Sequence, residues 1–242
     1  MRPVRARFVR IPEGTAQQNL GNPHTGCGGP VSHQSGDPFV RVGVTHISRH
    51  AAAKPRVSIM IAGAAGNPAG VLVRFPSGET RQLAPGPSSL ISQAVIEVFA
   101  PKFLAKPAVL WLSESGNKVV MRDDRIAAAI GLKIEADKNL PDLILADLGP
   151  PDPIIVFVEV VATDGPITPR RQQAIYDLTD AAGFKRDQIA FLTAYVDREA
   201  AGSEKTVAQL AWRSFSWFVS EPDHIIILRD GAQSPVMLSA LL

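Results

Sequence analysis

Two acidic residues stand in otherwise apolar runs, Asp142 ahead of Leu143-Ile144-Leu145 and Glu159 behind Ile154–Val158. The turn Leu148-Gly149-Pro150-Pro151-Asp152-Pro153 separates the runs and predicts a hairpin. If Asp147 pairs with Ile154, Asp142 falls directly opposite Glu159, with Cβ atoms about 5 Å apart. Facing carboxylates in an apolar sheet repel one another and lose hydration. A divalent cation relieves both costs, and hard oxygen ligands suit Mg²⁺. The alternative is a pair of strand-end acids facing water.

A third acid, Glu97, lies on a helical pattern. It comes about 20° short of eclipsing Leu90 on an ideal wheel, at the edge of the apolar stripe. A partly exposed helix acid and a site acid are equally compatible with that spacing. After Glu159 the chain reads VVATDGPITPRR. Thr168 caps a helix, Pro169 opens it, and Arg170 and Arg171 fall in its first turn, where the dipole is positive. An anion there would offset the repulsion, so free N–H groups and two guanidinium forks make a phosphate site. The alternative leaves both arginines in solvent or paired with acids such as Asp164.

The elements that must carry these residues are legible from periodicity. Val57–Ala62 and Val71–Phe75 flank the turn Gly66–Gly70 as a candidate hairpin, and Pro76–Glu79 turns again into Thr80–Leu83. A helix capped by Ser88 or Ser89 runs to Pro101 or Phe103, with Leu90, Ile91, Ala94, Val95, Val98 and Phe99 on its apolar stripe. Strands follow at Val109–Leu112 and Lys118–Met121, a short helix at Asp123–Ile130, and the two strands of the acidic hairpin. The helix opened by Pro169 runs to Ala182. A strand at Ile189–Val196, a helix at Glu204–Trp212 and strands at Phe215–Val219 and Ile225–Leu228 complete the chain. Strands interleaved with helices predict an α/β or α+β fold, a mixed central sheet flanked by helices.

Composition sets the limits. Of 242 residues, 45% are hydrophobic and 20% charged, enough to bury a core. No apolar run approaches the roughly 20 residues that span a bilayer. The basic start lacks an apolar stretch behind it, which argues against a secretory signal. Cys27 is the single cysteine, so no internal disulfide forms and a cytoplasmic location is expected. Residues 1–56 carry eight Lys/Arg against two acids, whereas the rest carries 17 basic and 21 acidic residues. A uniformly basic binding surface is therefore excluded for the main domain, and contacts to a polyanion must come from local patches. Residues 1–55 show no sustained period and read as a basic, poorly patterned segment; residues 56–242 read as the folded domain. His24, Cys27, His33, His46 and His50 are zinc-ligand types, but their spacings match no common finger. Trp111, Trp212 and Trp217 are expected to pack, and His224 to make a structural hydrogen bond.

Several segments together resemble the C-terminal domain of the BsuBI/PstI restriction endonucleases. They are AVIEVFAPKF (94–103), SGNK (115–118), LPDLILAD (140–147), FVEVVATDGPITPRR (157–171) and AWRSFSWFVSEPDHII (211–226). The resemblance spans roughly residues 70–242 and implies a PD-(D/E)xK nuclease core. Asp142 then falls on the motif aspartate, Glu159 on the second acid, and Glu97 on the helix acid that often completes the site, together holding Mg²⁺. The motif lysine is replaced by Val161, so the positive charge must come from elsewhere: Lys118 first, with Arg170 and Arg171 as others. The implied activity is that of a type II restriction endonuclease hydrolysing double-stranded DNA, acting as a homodimer. The rival is a DNA-binding protein that retains the acids without cleaving.

Overall fold

The structure is a computed structural model, and it describes residues 70–114, 117–134, 140–162, 165–232 and 237–240. The segment 1–55, its histidines and Cys27, and the apolar run 57–62 lie outside the described residues.

A mixed sheet of seven strands organises the fold. Its strands are β3 (Pro107–Glu114), β4 (Asn117–Arg122), β5 (Leu143–Asp147), β6 (Ile154–Val161), β7 (Ile189–Tyr195), β8 (Ser214–Phe218) and β9 (Ile225–Leu228), in the order β4-β3-β5-β6-β7-β8-β9. Pairing is antiparallel from β4 to β6 and again between β8 and β9. It is parallel from β6 to β8. A separate ribbon pairs β1 (Val71–Arg74) with β2 (Thr80–Leu83) across the turn at Pro76–Glu79.

Both faces of the sheet are buried, which explains why β6 is apolar at every position but Glu159 rather than alternating. Val156, Val158 and Val160 pack into one core with helix α1 (Pro87–Ala94) and the β1–β2 ribbon. Ile155 and Phe157 face the other core, which holds Ile175 and Tyr176 of helix α4 (Pro169–Ala181). The short helices α2 (Ala100–Phe103), α3 (Asp124–Ala129) and α5 (Ala201–Thr206) complete the set.

Three local expectations differ. Helix α1 begins one residue ahead of its serines: Pro87 opens it after Gly86, and no side chain caps it. The helix expected at Glu204–Trp212 instead spans Ala201–Thr206. The chain leaves it early because Ala211 is drawn into the core, where its N–H donates to the Ile167 carbonyl at 2.8 Å. Trp212, next in sequence, is 63% exposed rather than packed. Trp111 and Trp217 are buried as expected. His224 Nδ1 stands 3.8 Å from Glu221.

Between α1 and α2 lies a π-helical turn, Val95–Phe99. Pro101 supplies the cause: it has no N–H to give the Glu97 carbonyl, and its ring crowds that position in a regular helix. The Ala100 N–H reaches back five residues to the Val95 carbonyl instead.

The β5–β6 hairpin is anchored by Asp147. Its buried carboxylate accepts the N–H groups of Ala105 (2.9 Å), Lys106 (2.8 Å) and Gly149 (3.0 Å). Burial pushes its pKa up, but the three donors outweigh that and hold it below the usual aspartate value. Asp147→Ala leaves these donors without their acceptor, at a cost on the order of 3 kcal/mol near neutral pH. Because the folded pKa is depressed, that contribution is present above the ordinary aspartate range and lost as pH falls through the folded pKa. Urea unfolding of both proteins at pH 7 and pH 3 is expected to show the gap narrowing in acid.

Candidate active site

The acidic pair is positioned by strand register. β5 and β6 pair Asp147 with Ile154 and continue to Leu143 opposite Val158, so Asp142 and Glu159 come next, on one face of the sheet. Two contacts fix the segment ahead of β5. Trp111 Nε1 donates to the Pro141 carbonyl at 3.0 Å, and the Ser113 N–H to the Asp142 carbonyl at 2.8 Å. The Asp142 carboxylate accepts the Val160 N–H at 2.8 Å.

Glu159 is 7% exposed. Helix α4 packs on its face of the sheet, and α4 starts at a fixed point. The Ile167 N–H bonds Thr193 Oγ1 at 3.1 Å, and Thr168 accepts the Arg171 N–H as the cap. This sends the Arg171 side chain inward. Its Nε donates to Glu159 Oε1 at 2.6 Å and its Nη2 to the Leu140 carbonyl at 2.7 Å.

The two carboxyls are close enough to hydrogen-bond each other. Burial first, and then the Asp142 charge, push Glu159 up to about 8, against the pull of Arg171. Asp142 is also raised, by burial, although the Val160 N–H, Glu159 and Arg171 pull the other way. Without a ligand the pair therefore holds one proton near neutral pH, shared across the hairpin.

The pair opens into a cleft of about 460 Å³. Its other wall comes from Pro85–Ser89 and Ser92 of α1 and its approach, together with Ser113 and Glu114. Glu114 Oε1 accepts the Ala84 N–H at 2.5 Å and the Ser89 hydroxyl at 3.0 Å, tying α1 to the sheet. Sequence reading missed Glu114 and this serine wall. Polar residues at a helix start look like caps, and Glu114 sits in a turn signal.

The other expected residues lie elsewhere. The structure does not bring Glu97 to the pair: its Oε1 accepts the Arg74 N–H at 2.9 Å, and it lines a separate cleft with Gln93, Ile96 and Pro101. Arg170 is exposed at the start of α4. Lys118 lies on β4, next to the Asn117 that pairs with Glu114; its side chain lies outside the described residues, as does Asp164. Val161 is 2% exposed and packs with Tyr195 and Phe218, so a lysine there would enter the core. The cation beside Glu159 is supplied instead from α4, by Arg171.

Asp142 and Glu159 form a two-carboxylate donor set; among the described residues no group of three or more metal-ligand types converges. Mg²⁺ fits two such oxygens, since it completes its shell with water and substrate phosphate.

A family model described as BsuBI/PstI restriction endonuclease domain matches residues 71–231. The chain belongs to this family. Among the family's curated proteins, type II restriction enzyme BsuBI of Bacillus subtilis is 22% identical over 154 residues, 64% of this chain and 46% of that protein. The structure of SdaI restriction endonuclease has the same fold, with a TM-score of 0.59 and 24% identity, covering 71% of this chain and 51% of that one. The chain thus spans about half the length of the relatives it matches. The matched region holds the whole acidic hairpin, α1 and Arg171. No helix among the described residues is long and apolar enough to cross a membrane.

Proposed function

We propose that this domain hydrolyses phosphodiester bonds of double-stranded DNA with Mg²⁺, as a type II restriction endonuclease with a PD-(D/E)xK site. The observation that carries this reading is the buried pair: Asp142 and Glu159 face the same cleft, with the Arg171 guanidinium 2.6 Å from Glu159. Such a pair is costly to bury and finds relief in a divalent cation.

Asp142 and Glu159 would hold the metal. When bound, Mg²⁺ supplies neutralising charge at the phosphate and a more acidic water. The Val160 N–H fixes the Asp142 carboxylate, and Arg171 fixes that of Glu159. Arg171 also gives the site the positive charge that Val161 cannot, and Lys118 is a second source of it. Arg170, exposed one residue earlier, and the Thr168-capped start of α4 suit contact with a neighbouring backbone phosphate. We place the protein in the cytoplasm, acting as a two-fold homodimer on DNA, by analogy with type II enzymes.

The test incubates the protein with supercoiled plasmid and Mg²⁺, with and without EDTA. Nicked or linear product that disappears with EDTA is expected. Plasmid retained on the protein but never cut would favour the rival reading of a non-cleaving DNA-binding protein, motivated by the buried Val161.

A further inference from the structure

The start of α4 is held from two sides. Thr193 of β7 stands directly opposite Glu159 of β6 in the parallel register and is fully buried. A hydroxyl in the middle of a central strand is costly unless it is bonded. This one accepts the Ile167 N–H at 3.1 Å, which ties the connection after β6 to the sheet one residue ahead of the α4 cap. From the other side, the Ala211 N–H donates to the Ile167 carbonyl at 2.8 Å, and Gln172 Nε2 donates to the Trp212 carbonyl at 2.9 Å. The turn that supplies these partners ends at Arg213, in a left-handed conformation (φ 65°) uncommon for a residue with a Cβ, and its N–H is bonded to the Leu228 carbonyl. Arg171, four residues after Ile167, thus leaves the backbone from a place set by distant strands. Its bonds to Glu159 and to the Leu140 carbonyl follow from that place.

We propose that Thr193 is a positioning residue for phosphodiester cleavage: acting through Ile167, it holds the Arg171 guanidinium on Glu159. This rests on the nuclease reading above and names the sheet residue on which the arrangement of that site depends. Thr193 is buried and meets no substrate; its influence runs from its hydroxyl to the Ile167 N–H, the α4 start, Arg171 and Glu159. A guanidinium bonds a carboxylate only over a narrow range of geometry. A displacement on the order of 1 Å at a reacting centre can cost about a hundredfold in rate. Without the hydroxyl, α4 keeps its local cap at Thr168 and its bonds to the 211–213 turn, so the helix persists while its seat on the sheet loosens. The loss falls on kcat rather than KM, because Arg171 is set against a carboxylate of the reacting centre and not against the length of the DNA backbone.

Thr193→Val keeps the branched shape and removes the acceptor, whereas Thr193→Ser keeps the acceptor and removes a methyl. Thr193→Cys, with a weaker acceptor, stands in should the valine variant fail to fold. Tyr195→Phe is the stability control: two residues on in β7, it removes a buried hydroxyl bonded to Thr206 Oγ1 at 3.0 Å and leaves the Ile167 tie in place. Plasmid nicking in Mg²⁺ is measured below the melting temperature of every variant. The ¹H–¹⁵N signal of the Arg171 Nε–H, identified by its absence in Arg171→Lys, is followed in the same proteins. Thr193→Val is expected to lower kcat about tenfold or more with KM unchanged, and to move the Arg171 signal to the position of solvent-exposed arginines. Thr193→Ser is expected to restore both, and Tyr195→Phe to melt lower yet cut like the wild type. Wild-type cutting by Thr193→Val, a Thr193→Ser as impaired as Thr193→Val, or an equal loss of kcat in Tyr195→Phe overturns the proposal. So does a loss of kcat that leaves the Arg171 signal where it was. A wild type that never cuts removes the nuclease reading; the Arg171 signal, lost in Thr193→Val and kept in Thr193→Ser, then still upholds the tie, and an unchanged signal removes the tie as well.

Discussion

Asp142→Asn is expected to lower the initial rate of Mg²⁺-dependent plasmid nicking by about a thousandfold or more, while the protein folds as before. The substitution is close to isosteric, and the amide oxygen can still accept the Val160 N–H that holds the side chain in place. What disappears is one negative charge, at the point where the proposed site would attract a divalent cation. A thousandfold loss corresponds to about 4 kcal/mol of barrier, the scale on which single electrostatic groups act in water-poor sites. The melting temperature serves as the control. Removing one of two facing acids relieves repulsion, so the ligand-free variant should melt at or above the wild type. Equal nicking rates for the two proteins would remove Asp142 from the chemistry. A collapsed melting temperature would assign it a structural role instead.

Why the hairpin was readable and its surroundings were not follows from how far apart the interacting residues lie in sequence. The β5–β6 pairing is set by a short turn and by apolar strands that offer no competing register, so one assumed pair fixes the rest. Thr168 and Pro169 mark the start of α4 by local chemistry alone, and the helix begins there. Val161 and Arg171 depend on the third dimension. Val161 is shut out of the site by Tyr195 and Phe218, from two other strands. Arg171 looked like a phosphate ligand because its first-turn position was visible, but the proximity of α4 to Glu159 was not. For Glu97, a wheel of 3.6 residues per turn leaves a site acid and a partly exposed acid equally open, and only the family resemblance puts it in the site. That wheel cannot say which cleft a helix edge faces, and the π-turn at Val95–Phe99 breaks its phase at this point.

The second large effect concerns stability. Ligand-free wild type is expected to lose several kcal/mol as pH rises from about 4.5 to about 8, and Glu159→Gln to lose far less. The folded Glu159 pKa, about 8, lies above its ordinary value of 4.5, so between those limits the native state binds more protons than the unfolded chain. Stability is then complete below the unfolded value, declines through the window, and levels off above the folded value. Each tenfold step in proton affinity is worth about 1.4 kcal/mol, which sets the size of the decline. Asp142, raised in the same direction, adds to it at the acid end. A glutamine side chain resembles protonated Glu159 in shape and charge, so the two proteins should match near pH 5 and Glu159→Gln should be the more stable at pH 8. Mg²⁺ reverses the comparison. It should raise the wild-type melting temperature at pH 8, where the pair can release its proton, much more than at pH 5, and should do little for the variant. Urea midpoints across pH 5–8, with and without Mg²⁺, measure both effects. A wild-type profile as flat as that of Glu159→Gln would mean that the carboxyls are not electrostatically opposed. The physical basis for a cation at the hairpin would go with it, because the energy a metal recovers there is the energy that burying two facing acids costs.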